Sequence, residues 1–156
     1  MRGLRLLASW VLALFLIFMF LQATVHPLPD PPEGAVKLFD RPGENIVFQT
    51  MALNTGMAWL EPTGRVIVAI LELIACVFLL IPPTRRFGAV LSFFILAGAL
   101  AAHLMPEVLG REVPLSLSAG STETDGGRLF ALAIGMLAIS MLLIFVHPGR
   151  RKNPFR

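Results

Sequence analysis

Four long apolar runs constrain the fold of this chain more than any other feature of its sequence. They extend over about Leu6–Val25, Arg65–Ile81, Phe87–Leu104 and Leu129–Val146. Each approaches the roughly 20 residues that an α-helix needs to cross a hydrocarbon core of about 30 Å. The runs are continuous and do not alternate with polar residues, which argues against the strands of a membrane barrel. The sequence therefore predicts an all-α membrane protein with four transmembrane helices.

The composition supports the same fold class. Of the 156 residues, 56% are hydrophobic and only 15% are charged, whereas soluble domains have about 45–50% apolar and about 25% charged residues. These values exclude a disordered chain and an ordinary soluble enzyme. We expect a single integral membrane domain over residues 1–156, with helices at about 6–25, 65–81, 87–104 and 129–146.

The first apolar run has two interpretations, a secretory signal or a retained helix. The apolar core of a signal peptide spans about 7–15 residues and precedes a cleavage site between small residues. This run is longer, and Leu21-Gln22-Ala23 is a poor cleavage site. We therefore expect a retained membrane helix.

The segments between the runs predict the connections. Pro82-Pro83 ends the second helix and leaves a tight hairpin before the third, because proline lacks the amide donor and clashes with the preceding turn. The bundle should then be antiparallel, with outer loops at 26–64 and 105–128 and a basic tail at 147–156. The first loop opens with an extended, proline-rich stretch from Pro27 to Pro32. Its apolar stretch Ile46–Leu53 predicts a short interfacial or re-entrant helix, with Trp59 at headgroup level.

The distribution of charge predicts the orientation. One side has eight basic residues and no acid, and the other has five basic and nine acidic residues. The eight basic residues are Arg2, Arg5, Arg85, Arg86, Arg150, Arg151, Lys152 and Arg156. Because cytoplasmic loops are rich in Lys and Arg, both termini should be cytoplasmic. The net charge of +3 and the pI of about 10.0 thus predict contact with a lipid bilayer that contains anionic lipid, and no nucleic-acid partner.

Glu72 is the most informative candidate for chemistry, because it lies inside the second apolar run. Ionisable groups at membrane depth are costly and normally face the interior of a bundle. Arg65 lies two turns earlier on the same face, about 10.5 Å away along the axis, so a direct pair requires the arginine to reach down. Glu72 is either a proton-accepting or ligand-binding carboxylate, or a structural group bonded to a neighbouring helix or kept protonated by desolvation.

Several other polar residues are expected at the outer ends of the helices. They could form a polar rim above Glu72, with Arg65, Glu72 and His103 as catalytic candidates and the rest as a cofactor-binding rim. The rest of the rim is Gln22, Asp125 and Arg128. His103 is alternatively an interfacial histidine, His26 is more simply a boundary residue, and Asp125 is also a suitable cap for the fourth helix.

The remaining motifs favour packing over chemistry. Cys76, the only cysteine, lies one turn from Glu72 and is expected to be a buried packing residue. Gly127, Ala131, Gly135 and Ala138 follow a small-residue spacing that lets helix backbones approach closely. The sequence has no phosphate-binding glycine motif and no Cys/His spacing typical of a metal site, so no metal is expected.

Several stretches of the chain together resemble the DoxX-like family over roughly residues 4–147. The matching stretches are Leu38–Asp40, Gly64-Arg65, Ala69–Leu73, Leu80–Ala89, Gly98-Ala99, His103-Leu104 and Asp125–Phe130. The resemblance implies a four-helix bacterial inner-membrane protein in which Arg65 and Glu72 are matched positions. It also implies a link to membrane oxidoreductases, since the family takes its name from a subunit of a thiosulfate:quinone oxidoreductase.

Three functions follow as hypotheses. The first is a small subunit or accessory of a quinone- or thiol-linked membrane oxidoreductase, in which a buried carboxylate exchanges protons and quinone is the cofactor. The second is a non-enzymatic accessory or scaffold subunit that binds a membrane-protein partner or a second copy of itself. The third is a small-molecule or lipid carrier, for which four helices are few and no inverted repeat is visible.

Overall fold

The part of the chain that the structure describes folds into five α-helices, four of which are long and apolar enough to cross a membrane. The computed structural model describes residues 2–25, 36–118 and 121–147. Within these ranges the helices are α1 (Arg2–Thr24), α2 (Ile46–Thr55), α3 (Thr63–Leu80), α4 (Arg85–Leu104) and α5 (Arg128–Val146). Short 3-10 turns occupy Ala58–Leu60 and Pro82–Thr84. The described residues form no strand beyond one isolated bridge between Pro114 and Thr124.

The prediction of an all-α fold is confirmed, and each of the four apolar runs is a helix long and apolar enough to cross a membrane. The long helices begin one to four residues before the predicted starts, because a helix does not need to stop where apolar residues give way to polar ones. His26 and the stretch Pro27–Pro32 lie outside the described residues, as does the tail after His147.

Local signals explain both ends of α2 and the start of α5. The side chain of Asn45 accepts a hydrogen bond from the Phe48 amide at 3.2 Å and caps α2. This helix ends at Gly56, whose φ of 71° lies in the left-handed region that favours glycine. Gly126 and Gly127 take φ values of 61° and 78° immediately before α5, so the chain can turn sharply into that helix.

The core lies between the four long helices. α3 packs against α1 and α4, and α5 packs against α1 and α4. The buried core is formed by Ala13, Leu16, Phe20, Ala75, Cys76, Leu79, Ala89, Leu96, Met136 and Leu143. Cys76 thus contributes to packing, as the sequence predicts, and its thiol lies 3.9 Å from the Ile17 carbonyl oxygen.

Gly88 lies where the backbone of α4 comes close to the backbone of α3. A Cβ atom at this position would lie 2.7 Å from the backbone nitrogen of Leu79 and 2.9 Å from the carbonyl carbon of Phe78. Only glycine leaves room for the two backbones to come this near. The contact lies next to the Pro82–Thr84 turn and holds the hairpin between α3 and α4 closed.

Hydrogen bonds show which helix termini meet. Arg5 of α1 donates to the carbonyls of Phe145 and Val146 at the end of α5, and Arg85 at the start of α4 donates to Leu79 near the end of α3. We call this region, with Arg5, Ser9, Arg85, Arg86 and His147, the basic end. The opposite end contains the long connections and is called the loop end.

Candidate functional site

Glu72 is buried in α3, where a lysine from the first long connection binds its carboxylate. Lys37 Nζ lies 3.0 Å from Oε1 and 3.1 Å from Oε2 of Glu72. The hydroxyl of Thr24, at the end of α1, donates to Oε2 as well. The side chain of Glu72 is 6% exposed and that of Lys37 is 20% exposed, so the pair lies at the boundary between the bundle and its surroundings.

Arg65 does not pair with Glu72; it binds Glu61 and the backbone instead. Its Nε donates to both carboxylate oxygens of Glu61, at 3.0 and 2.8 Å, and its terminal nitrogens donate to the carbonyl of Lys37 and, at 2.8 Å, to that of Asp40. Both side chains are almost fully buried. Arg65 therefore connects the start of α3 to the segment Val36–Asp40.

Together, Thr24, Lys37, Glu61, Arg65 and Glu72 form what we call the loop-end network. Its two cations and two carboxylates balance, as buried charges require. Backbone bonds add to it, because the amides of Lys37 and Leu38 donate to the carbonyls of Ala23 and Thr24 at 3.2 and 3.1 Å. The network thus ties the segment after residue 35 to both α1 and α3.

His103 and Asp125 belong to a second polar group that organises the other long connection. His103 Nδ1 lies 2.8 Å from the carbonyl oxygen of Gly110, so this nitrogen is the one that donates. The ring also meets Phe130 edge to face, with centroids 5.9 Å apart.

The Asp125 carboxylate accepts hydrogen bonds from the amides of Val113, Gly127 and Leu129 at 2.9, 3.0 and 2.9 Å. Burial tends to raise the pKa of Asp125, but these three bonds outweigh it and hold the pKa below its ordinary value. The prediction that Asp125 is the N-cap of the last helix is wrong by two residues, because the N-cap is Gly127. The Asp125 carboxylate still accepts from the amide of Leu129 in the first turn of α5, which satisfies one of the free N–H groups at the helix start.

The predicted polar rim therefore divides into two groups in its hydrogen bonding. Glu72 and Arg65 take part in the loop-end network, while His103 and Asp125 bind backbone groups of the connection before α5. The side chain of Arg128 is exposed, and Gln22 is half-buried near the end of α1. The described residues include no cluster of three or more His, Cys, Asp or Glu side chains suited to hold a metal ion.

Sequence reasoning missed Lys37, Thr24 and Glu61. Glu61 could have been found, because a glutamate four residues before an arginine at a helix start is a recognised pairing. Lys37 carried no such signal, since it lies 35 residues from Glu72 in the chain within a connection of unknown path.

A small cavity of about 330 Å³ lies beside the loop-end network. Glu61 forms part of its wall, together with residues of α2 and of the turn that follows it. The other lining residues are Gln49, Ala52, Leu53, Gly56 and Ala58. Its volume is at the lower limit of cavities that hold small organic ligands, about 300–1,000 Å³.

A third polar cluster, also missed in the sequence, lies at the basic end. Arg85 is fully buried, and its Cζ atom lies 3.7 Å above the ring of Trp10. Its Nε donates to the Leu79 carbonyl at 2.8 Å and its NH1 donates to Ser9 Oγ at 3.2 Å. Ser9 Oγ lies 2.8 Å from His147 Nδ1.

The hydrogen bonds of this cluster indicate how a neutral His147 is arranged. A guanidinium has no acceptor, so Ser9 Oγ accepts from Arg85. A ring N–H of His147 donates to the Pro82 backbone, so in the neutral ring Nδ1 is the unprotonated nitrogen and accepts from Ser9. Burial, and then the positive charge of Arg85, lower the pKa of His147, and a hydrogen bond to the Pro82 backbone opposes them only in part.

Comparison of this chain with protein-family models, with curated proteins and with solved structures finds no match.

Proposed function

We propose that this chain is a small integral membrane protein that acts as a non-catalytic accessory or scaffold subunit, binding a helix of a membrane partner through one face of α5. The observation that carries this proposal is the position of its small residues. Ala131, Gly135 and Ala138 are exposed on α5, and a Cβ atom at Gly135 would meet no heavy atom within 4 Å. Small residues in this spacing let a second helix approach closely in lipid.

The polar clusters support the same role. Glu72, Arg65, His103 and Asp125 all bind other groups of the chain, and these bonds fix the two long connections against the helices. Such an arrangement suits a rigid surface better than a reaction centre, because each carboxylate would have to release its partner before it could bind a substrate.

The finer topology is part of this proposal. We infer four antiparallel crossings of a bacterial inner membrane, with both termini cytoplasmic and α2 at the interface. The meeting of α1 with α5 and of α3 with α4 at the basic end supports the antiparallel order, and the accumulation of Arg and Lys at that end supports the orientation. Membership of the DoxX-like family is likewise a proposal and rests on the residue pattern around Arg65, Glu72 and Pro82.

The test is purification of the tagged protein in a mild detergent after cross-linking in the membrane. We expect a second membrane protein, or a second copy of this chain, to be captured with the wild type and lost from Gly135→Leu. The matched control is Gly98→Leu, because Gly98 is also exposed with no atom within 4 Å but follows the bulky, exposed Phe94 by one turn. Recovery of a monomer without a cross-linked neighbour would contradict the proposal.

A quinone-linked redox subunit is the second candidate, favoured by the cavity beside Glu61. The cavity adjoins a network of buried charges through which a proton could be exchanged with a bound quinone headgroup. The test measures how much quinone remains bound after purification of the wild type and of Ala52→Phe, whose larger side chain fills the cavity. If both proteins lack bound quinone, and Glu72→Gln leaves the quinone-dependent oxidoreductase activity of the membranes unchanged, this candidate is excluded.

A further inference from the structure

Among the side chains that the structure describes, the basic end has three guanidinium groups and no carboxylate to balance them. Arg5 comes from α1, and Arg85 and Arg86 come from the start of α4. The segments that build this end contain no Asp or Glu, since the sequence has none in residues 1–29, 73–106 or 126–156. An arginine side chain stays charged under all ordinary conditions, and burial lowers the pKa of the neighbouring His147. The described residues at this end therefore supply no carboxylate as a counter-charge.

Each guanidinium is positioned by backbone carbonyls, which leaves N–H groups to spare. Arg5 donates through Nε and NH2 to Val146 and Phe145, at 3.3 and 2.9 Å, and Arg86 donates through Nε to Ile144 at 3.2 Å. Arg85 is 0% exposed, and its NH2 nitrogen has no hydrogen-bond partner in the described part of the chain. Arg5 and Arg86, in contrast, are exposed. Buried Arg85 thus adds to the positive electrostatic potential at this end, and the exposed Arg5 and Arg86 are the groups that an anion could contact.

The surface around these two arginines is strongly apolar. Leu4, next to Arg5, is 73% exposed, and Phe87, next to Arg86, is 71% exposed. Phe145, whose carbonyl binds Arg5, is 68% exposed. A soluble anion makes no favourable contact with such apolar side chains. A phospholipid can contact them with its acyl chains and bind the guanidinium groups through its phosphate.

We infer that Arg5 and Arg86 bind the headgroup phosphate of an anionic phospholipid, while the neighbouring apolar side chains contact its acyl chains. The bound lipid would connect α1 and α4 at the end of α5, because the two arginines come from different helices and bind consecutive carbonyls of that helix. This inference needs the basic end to lie at a membrane surface, but it does not depend on a protein partner or on quinone.

The experiment measures lipid retention by native mass spectrometry of the purified chain in micelles supplemented with phosphatidylglycerol or phosphatidylcholine. The wild type should retain more phosphatidylglycerol than phosphatidylcholine. The variant Arg5→Gln/Arg86→Gln should lose this preference by on the order of 30-fold, since each basic residue near an anionic surface contributes about a factor of five. Arg111→Gln/Arg128→Gln is the matched control, because these arginines are exposed at the loop end, and it should retain the preference.

Two further measurements keep the inference falsifiable if the double variant folds poorly. Arg5→Lys/Arg86→Lys keeps both charges and should keep most of the preference, although it loses the fork geometry toward the carbonyls. Equal retention of the two lipids by the wild type would overturn the inference without any variant. Thermal protection of the wild type by inorganic phosphate equal to that by phosphatidylglycerol would also overturn it, because it would assign the site to a free anion.

Discussion

Lys37 and Glu72 form an ion pair, with Nζ 3.0 Å from Oε1, that joins the first long connection to the middle of α3. The pair shares Glu72 with the hydroxyl of Thr24 at the end of α1. Three separate parts of the chain thus converge on one carboxylate. Its partners make Glu72 a point of attachment for the connection, and any proton exchange at this carboxylate would require Lys37 to move away.

Removal of Lys37 should destabilise the protein more than removal of the whole pair. Lys37→Met leaves the buried carboxylate without its cation, and we expect a loss of about 2 kcal/mol or more in the free energy of unfolding. Lys37→Met/Glu72→Met removes both charges and should recover most of that loss. Thermal unfolding in detergent measures both, with Lys37→Arg as the charge-preserving control. Equal destabilisation by the single and the double variant would show that the pair is not coupled.

Arg65 should stabilise the folded protein through the geometry of its guanidinium group as well as through its charge. One guanidinium binds Glu61 and the carbonyls of Lys37 and Asp40, and a lysine cannot reach all three. Arg65→Lys should therefore cost about 2 kcal/mol of unfolding free energy and release the segment Val36–Asn45.

Hydrogen exchange followed by mass spectrometry checks this expectation, because the amides of Lys37 and Leu38 bind carbonyls of α1. Their protection should fall in Arg65→Lys while that of α5 stays unchanged. Arg111→Lys serves as the control, since Arg111 is exposed at the same end. Unaltered protection of residues 36–45 would argue against Arg65 as the link.

The helices could be predicted from the sequence, and most of the polar contacts could not. Long apolar runs specify helices because lipid offers no partner for an unsatisfied backbone. Asp125 could be recognised as an acceptor for amides at the start of the last helix because it lies just before a run, although the N-cap itself is Gly127. Lys37 could not be paired with Glu72, because loop paths are not encoded in any local pattern. Ser9 and His147 lie 138 residues apart, and only the packing of α1 beside α5 brings them together.

The cluster of Ser9, Arg85 and His147 should make stability depend on pH. The folded-state pKa of His147 lies below its ordinary value of 6.5, so the unfolded chain binds more protons as the pH falls through 6.5. The stability from neutral His147 is therefore fully present above about pH 6.5 and declines as the pH falls toward the folded-state pKa. Protonation also removes the acceptor for Ser9 and places a second positive charge beside Arg85.

Melting temperatures between pH 7.5 and 5.5 test this expectation. The wild type should lose stability across the interval, and His147→Gln should lose less, because it cannot be protonated. Ser9→Ala breaks the hydrogen-bond chain at every pH and should cost about 1–3 kcal/mol, since it leaves buried polar groups without partners. An identical pH profile in the wild type and His147→Gln would refute the role of this histidine.

Gly88 should tolerate no side chain, although it lies in the interior of a helix where glycine is intrinsically poor. A methyl group there would lie 2.7 Å from Leu79 N, so Gly88→Ala must push α3 and α4 apart and disturb Arg85, which donates to the Leu79 carbonyl. We expect a loss of about 1–3 kcal/mol in the free energy of unfolding, as for overpacking of a tight core.

Gly98→Ala is the matched control on the same helix, because its added methyl meets no atom within 4 Å. That variant should be neutral or more stable by up to about 1 kcal/mol from helix propensity. Unfolding of the two variants in the same detergent compares them directly, and a Gly88→Ala protein as stable as Gly98→Ala would show that the close approach of α3 and α4 is not required.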